Sequence, residues 1–230
     1  MIRLLRAAGF QPSLLILPVL ISCTAAPAPP PAPSIDAAEV AVLQEEATRL
    51  ERPARVLFRW RANEGGARFS GRGVSRVEPP YRARLDLFLG NGELAVQAAL
   101  VDDELRLPPG APDGLIPPAP LLWASLGVFR PGGVPRLVGG EALDERTVRL
   151  RYDVPGAREM SFRFEGGALA SAEILRDGRA EESLSVERDG AGLPQSATYR
   201  NLAAFRELTV EVESVEYVES FPPEIWTLGR

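Results

Sequence analysis

From residue 54 onward the apolar side chains recur at every second position, and a β-strand with one buried face is what uses that pattern. "ARVLFRWR" puts Val56, Phe58 and Trp60 on one face and Arg55, Leu57, Arg59 and Arg61 on the other. The same period runs through "ARFSGRGVSRV", "YRARLDLFLG" and "GELAVQAALV", the last two joined at Gly90-Asn91-Gly92. "DELRLP" makes a short fifth strand. After an interruption, "TVRLRYDV" turns Val148, Leu150 and Tyr152 inward, and "REMSFRFE" does the same with Met160, Phe162 and Phe164. "GALASAEILRD" and "EESLSVERD" form a hairpin over Asp177-Gly178, and "PQSATYRNL" and "FRELTVEVESVEYV" complete the set. In the final strand the apolar phase slips between Val212 and Val215, which predicts a bulge near Ser214. About ten short strands with turn signals between them predict a mainly β fold, an antiparallel barrel or sandwich.

Two segments depart from the period of two. Asp36 with Glu39 three residues on resembles a capping box. Ile35, Ala38, Val42, Leu43, Ala47 and Leu50 then share a helical face up to Arg52-Pro53. "PPAPLLWASLGVFRPGG", residues 117–133, is apolar nearly all round and predicts a short buried helix ended at Gly127 or at Pro131-Gly132-Gly133. Such a helix either covers the concave face of the sheet as a lid or completes a filled core; the pattern is compatible with both. The eight Arg between residues 54 and 84 face only Glu64 and Glu78 within that stretch, while the last strand carries Glu207, Glu211, Glu213, Glu216 and Glu219. A basic patch for anionic lipid and a set of cross-strand Arg–Glu pairs are the two readings, and the pairs are the simpler one.

The residue inventory excludes much chemistry. The chain has no His and no Lys, and its one cysteine is Cys23. Ser-His-Asp and Cys-His triads, a Lys Schiff base and a Cys/His zinc site are therefore impossible. No phosphate-binding loop or nucleophile elbow is present, and Asp102-Asp103-Glu104 reads as a polar turn between strands. A hydrolase using two carboxylates is the one enzymatic option left, and the expectation is that the chain is not an enzyme and takes no cofactor or metal. The net charge of −5 argues against a nucleic-acid partner.

The N-terminus carries an address. Arg3 and Arg6 precede an apolar run, Leu14 to Ile21, too short to span a bilayer. "LISC", ending in Cys23, resembles the lipobox of bacterial lipoproteins. The resemblance implies that residues 1–22 are a signal peptide and that Cys23 carries acyl chains such as palmitate. Residues 23–33 then form a proline-rich tether, and 34–230 one folded domain. Thr24, where an Asp would mark inner-membrane retention, points to the outer membrane.

Within the domain, "LGNGEL" and "LLWASLG" with "RPGGVPRLVGG" resemble the LolB branch of the LolA/LolB lipoprotein-carrier superfamily. The resemblance implies a half-open antiparallel β-barrel whose concave face, covered by short helices, accepts the acyl chains of lipoproteins or lipids. It also implies an envelope protein facing the periplasm, acting in lipoprotein localisation. Its expected partners are a periplasmic lipoprotein carrier and, through its own lipid, a membrane; the chain is expected to be a monomer. Leu89 matches the exposed leucine that assists membrane insertion in that family. Candidate lining residues are Phe58, Trp60, Leu85, Leu87, Trp123, Leu150, Tyr152, Phe162 and Phe164. A scaffold lipoprotein with a filled core is the alternative.

Overall fold

The computed structural model of the chain describes residues 35–111, 114–190 and 192–228. They form one antiparallel sheet of twelve strands, in the order β5-β4-β3-β2-β1-β12-β11-β10-β9-β8-β7-β6. The central strands are β1 (Ala54–Glu64) and β12 (Arg206–Tyr217). One wing holds β2 (Ala67–Glu78), β3 (Arg82–Leu89), β4 (Leu94–Val101) and β5 (Glu104–Arg106). The other holds β11 (Pro194–Asn201), β10 (Arg179–Arg188), β9 (Ala168–Arg176), β8 (Arg158–Glu165), β7 (Thr147–Val154) and β6 (Arg136–Ala142). β5 and β6 are the two edges and do not pair with each other, so the barrel is half open. The chain between them carries helix α2 (Ala119–Ser125); helix α1 (Ala37–Ala47) precedes the sheet.

The sheet has more strands than the alternation predicts. The additional one is β6, whose "RLVGGEA" holds two glycines and a bulge at Val138, since Leu137 pairs with Tyr152 and Gly139 already with Arg151. The slip in β12 is a bulge at Glu213: Leu57 pairs with Ser214 but Phe58 with Val212. Glu213 then reaches Arg59 at 3.1 Å and Arg72 at 3.7 Å, while Glu216 pairs with Arg55 and Glu211 with Arg61. The outer-face arginines of β1 are therefore held in cross-strand pairs.

Room for the largest side chains of β1 comes from glycine on β2. Gly71 lies opposite Trp60 and Gly73 opposite Phe58, so the two rings spread across a bare strand. Trp60 Nε1 donates to the carbonyls of Arg72 and Phe88, each at 3.1 Å. A Cβ on Gly71 would stand 1.8 Å from the Phe88 carbonyl oxygen, whereas one on Gly73 would meet the tip of the Phe58 ring at 2.2 Å. Backbone cannot step aside and a ring tip can. Gly71→Ala is expected to cost about 3 kcal/mol or more, the upper end of overpacking, and Gly73→Ala clearly less. Denaturant melts of the two variants check the order.

Asp36 caps α1, its Oδ1 accepting from the amides of Ala38 and Glu39, both at 3.1 Å. The face α1 turns inward differs from the expected one. Ala37, Val40 and Ala41 pack against the core, while Val42 and Leu43 stay 68% and 58% exposed. The helix sits on Gly140 of edge strand β6, where a Cβ would meet Ala37 and Ile35 at 3.0–3.1 Å, so small side chains set the approach. α2 stops at Gly127, φ +79°, in a Schellman arrangement: Gly127 N donates to Ala124 O and Val128 N to Trp123 O. On the convex face the C-terminal segment folds back over β3 and β4. Phe221 and Trp226 are buried there edge to face, and Arg84 Nη1 donates to Ile225 O at 2.8 Å.

Candidate functional site

The concave face is filled on one side and hollow in the middle. Under β7 and β8 the ring of Phe129, just past α2, meets Phe162 at 4.9 Å and Phe164 at 5.1 Å, both edge to face, and Tyr152 at 6.2 Å. Leu150, Met160, Leu169 and Ala172 close the remaining space there and are buried. Under β1, β12 and β11 the side chains are smaller. Ala54, Val56, Ser75, Val77, Ala83, Ala197 and Val210 face a cavity of about 320 Å³, with Phe58, Leu85, Leu208 and Tyr199 around them. This volume is within the range of small-molecule sites, roughly 300–1,000 Å³.

α2 roofs the cavity with Leu122, Ser125 and Leu126 while its other side, Leu121, Trp123 and Ala124, is buried in the core. The helix is thus both lid and core element. It is tied down by Trp123 Nε1, which donates to Asp102 O at 2.8 Å, and by Phe129 N, which donates to Thr48 Oγ1 at 2.9 Å. Arg130 adds an ion pair to Asp103 at 2.7 Å and stacks on Tyr81, its Cζ 3.8 Å from the ring centre. Apart from the buried Ser75 hydroxyl, the side-chain polar groups inside the cavity are already engaged. Ser125 Oγ donates to Leu122 O, Ser196 Oγ to Glu187, and the Tyr199 hydroxyl to Glu182 at 2.7 Å. The interior therefore offers dispersion and burial and almost no directional bonding. At one mouth, by contrast, stand Arg49, Glu51 and Arg52 from the α1–β1 linker.

Of the nine side chains singled out by sequence, Phe58 and Leu85 line the cavity. Trp60, Leu87, Trp123, Leu150, Tyr152, Phe162 and Phe164 do not; they are buried core. Bulky residues fill space, and the hollow lies where small concave-face residues oppose one another across β1, β2, β3, β11 and β12. That deficit of side-chain volume, at Ala54, Ser75, Ala83 and Ala197, is the sequence signal that locates it. Leu89 is also placed otherwise than expected: it ends β3, pairs with Gly71 and packs partly buried against the core. The hairpin beyond it exposes Gly90 to Leu94 instead. Cys23, the signal segment 1–22 and the tether 23–33 lie outside the described residues.

Burial raises the phenols of two tyrosines on this face. Tyr152 is pushed up to about 12 by burial, with Glu45 adding to it. Tyr199 is raised by burial first and then by its bond to Glu182. A phenol raised on folding stabilises the protein fully below the unfolded value near 10, and that contribution is lost as pH climbs through the folded value. Unfolding free energy is therefore expected to be flat to about pH 10 and to fall by about 2–3 kcal/mol toward pH 12 for Tyr152 alone. Urea melts across that window check it.

Among the described residues no group of acidic or cysteine side chains is placed to hold a metal ion, and no helix is long and apolar enough to cross a membrane. What the site defines is an open antiparallel barrel around a roofed apolar cavity. No family model and no curated protein sequence matches the chain. Solved structures do. A LolA superfamily protein from Nitrosomonas europaea superposes with a TM-score of 0.57 at 12% identity, over 85% of this chain and 99% of that one. A DUF1329 family protein from Desulfovibrio piger gives a TM-score of 0.49 at 9% identity, over 83% and 95%. At that identity the first likeness establishes the fold: a LolA-like open barrel.

Proposed function

We propose that the protein is a lipid-anchored component of a bacterial cell envelope that binds acyl chains, of lipoproteins or lipids, in the cavity beneath β1 and β12. The observation that carries this is the 320 Å³ apolar cavity left under a sheet whose flanks are otherwise filled. An empty apolar cavity costs stability in proportion to its size, and an acyl chain is the occupant that needs burial without hydrogen bonds. The LolA-like fold supports the reading, as does the absence of His and Lys from the sequence, which leaves little for catalysis. On this reading the protein is not an enzyme. Cys23 is the lipidated residue, residues 1–22 its signal peptide and 23–33 its tether, which puts the domain on the periplasmic face of the outer membrane. Service in lipoprotein localisation on the LolB pattern, receiving cargo from a periplasmic carrier, is the role proposed.

The test is to purify the full chain from its own envelope, exchange it away from detergent, denature it and identify the lipids released. Roughly one equivalent of acyl-bearing molecule beyond the anchor itself is expected. A folded protein that releases none, and takes up none when lipid is added back, contradicts the proposal and returns the scaffold alternative.

A further inference from the structure

The cavity's size and the charge at its mouth say more about the occupant; this inference rests on the acyl-binding proposal above. A methylene takes up about the share of space of a liquid water, ~30 Å³, so 320 Å³ holds on the order of ten methylenes. That is most of one twelve-carbon chain, roughly, and far less than the chains of a diacyl lipid or a triacylated lipoprotein held together.

All the charged residues of the lining come from four consecutive positions, 49 to 52, between α1 and β1. Arg52 lies with its guanidinium carbon 3.4 Å from the centre of the Tyr217 ring. It meets no carboxylate within ion-pair distance among the described residues, unlike the arginines of the β1 outer face. Arg49 has only Glu46, at 3.7 Å, and both side chains are more than half exposed. Glu51 is the single carboxylate in the lining, and with Arg49 partnered by Glu46, Arg52 is the lining cation with no carboxylate in ion-pair range among the described residues. The Tyr217 ring, itself part of the lining, holds the exposed Arg52 guanidinium over its face at the rim. Inside the cavity Ser125, Ser196 and Tyr199 already have protein partners and only the uncharged Ser75 hydroxyl is left, so the place for a charged head is this rim.

We propose that the cavity takes a single linear acyl chain of about twelve carbons, and that its anionic head, carboxylate or phosphate, seats on Arg52 with Arg49 beside it. Cargo with several chains would then insert only one of them. The test is equilibrium binding to the full chain of four probes below their micelle concentrations: laurate, dodecyl phosphate, dodecanol and dilauroylphosphatidylglycerol. Stoichiometry is read by native mass spectrometry. Laurate and dodecyl phosphate are expected to bind one per chain and about tenfold tighter than dodecanol, the size of one charge-assisted hydrogen bond. The tighter of the two identifies the head group. Arg52→Gln is expected to erase that advantage while lowering dodecanol affinity by no more than about threefold, since Gln still offers the alcohol a hydrogen bond, and a denaturant melt reports that the variant is folded.

Equal affinity for laurate, dodecyl phosphate and dodecanol, or full retention of the anionic preference in both Arg52→Gln and Arg49→Gln, overturns the head-group assignment while leaving the acyl cavity standing. Two-chain phosphatidylglycerol is expected to bind one-to-one at about laurate's affinity, and binding more than about a hundredfold tighter, as burial of the second chain would give at ~0.8 kcal/mol per methylene, overturns the single-chain assignment. No binding by any probe to the folded protein removes the acyl-binding proposal beneath both.

Discussion

Val210→Phe is expected to lower laurate affinity roughly 15- to 60-fold and to leave the fold intact. Val210 sits on β12 opposite Trp60 and Ala197, at the centre of the cavity wall. Phenylalanine enlarges the side chain by most of a benzene ring, into space that no other side chain uses. That displaces about two to three methylenes of a bound chain, each contributing ~0.8 kcal/mol on burial. Overpacking normally costs about 1–3 kcal/mol, but here the added ring enters a void, so the melt should change by less than about 1 kcal/mol. Loss of binding with unchanged stability separates a ligand cavity from an ordinary packing defect. If the variant were instead destabilised by several kcal/mol, the space would already be taken by side chains in solution.

Trp123→Ala is expected to give the largest loss of stability of any substitution considered. The indole is fully buried, meets Tyr81 edge to face at 6.0 Å and donates Nε1 to Asp102 O. Truncating a buried tryptophan costs about 3–5 kcal/mol through lost burial and the cavity left behind. For a domain of this size that corresponds to a fall in melting temperature of roughly 6–20 °C. Because α2 also contributes Leu122 and Leu126 to the roof, the variant should lose ligand affinity as well. Trp123→Phe separates the two contributions: it retains most of the packing and forfeits the bond to Asp102 O, for about 1 kcal/mol. Calorimetric melts of both variants, with and without laurate, provide the comparison.

Most strands were legible because one buried face imposes a period of two. The exception, β6, has a reason in its own residues: Gly139 and Gly140 have no side chain to show a face, and the bulge at Val138 breaks what alternation is left. The same glycines misdirect the reading of α1. A helix lying on Gly140 buries its small residues, so Ala37 and Ala41 point in and the larger Val42 and Leu43 point out. Ranking by hydrophobicity cannot anticipate that. α2 was legible in position, termination at Gly127 and burial, and its double use as lid and core combines the two options left open by its apolar pattern.

The site was less legible for a related reason. Aromatic residues mark where a core is, and Trp60, Phe162 and Phe164 are among its largest fully buried side chains. A cavity is marked by what is missing. Ala54, Ser75, Ala83 and Ala197 each look like an unremarkable strand position, and their convergence depends on register: Ala54 opposite Val77 and Tyr217, Ser75 opposite Leu85 and Val56. The hairpin pairings fix the register of β1, β2 and β3, but Ala54–Tyr217 joins strands far apart in sequence, and alternation alone does not specify it. The charged rim is set by the same long-range closure, since Arg52 meets Tyr217 only because β1 and β12 pair at the sheet's centre.

The most direct test of the cavity is a crystal structure of the protein grown with 12-bromododecanoate, read through the anomalous signal of bromine. The account predicts one bromine peak per chain beneath the sheet, between Phe58 and Val210 and under Leu122, with the carboxylate at Arg52. A bromine peak elsewhere on the protein, with the space under β1 and β12 empty at saturating ligand, would contradict it.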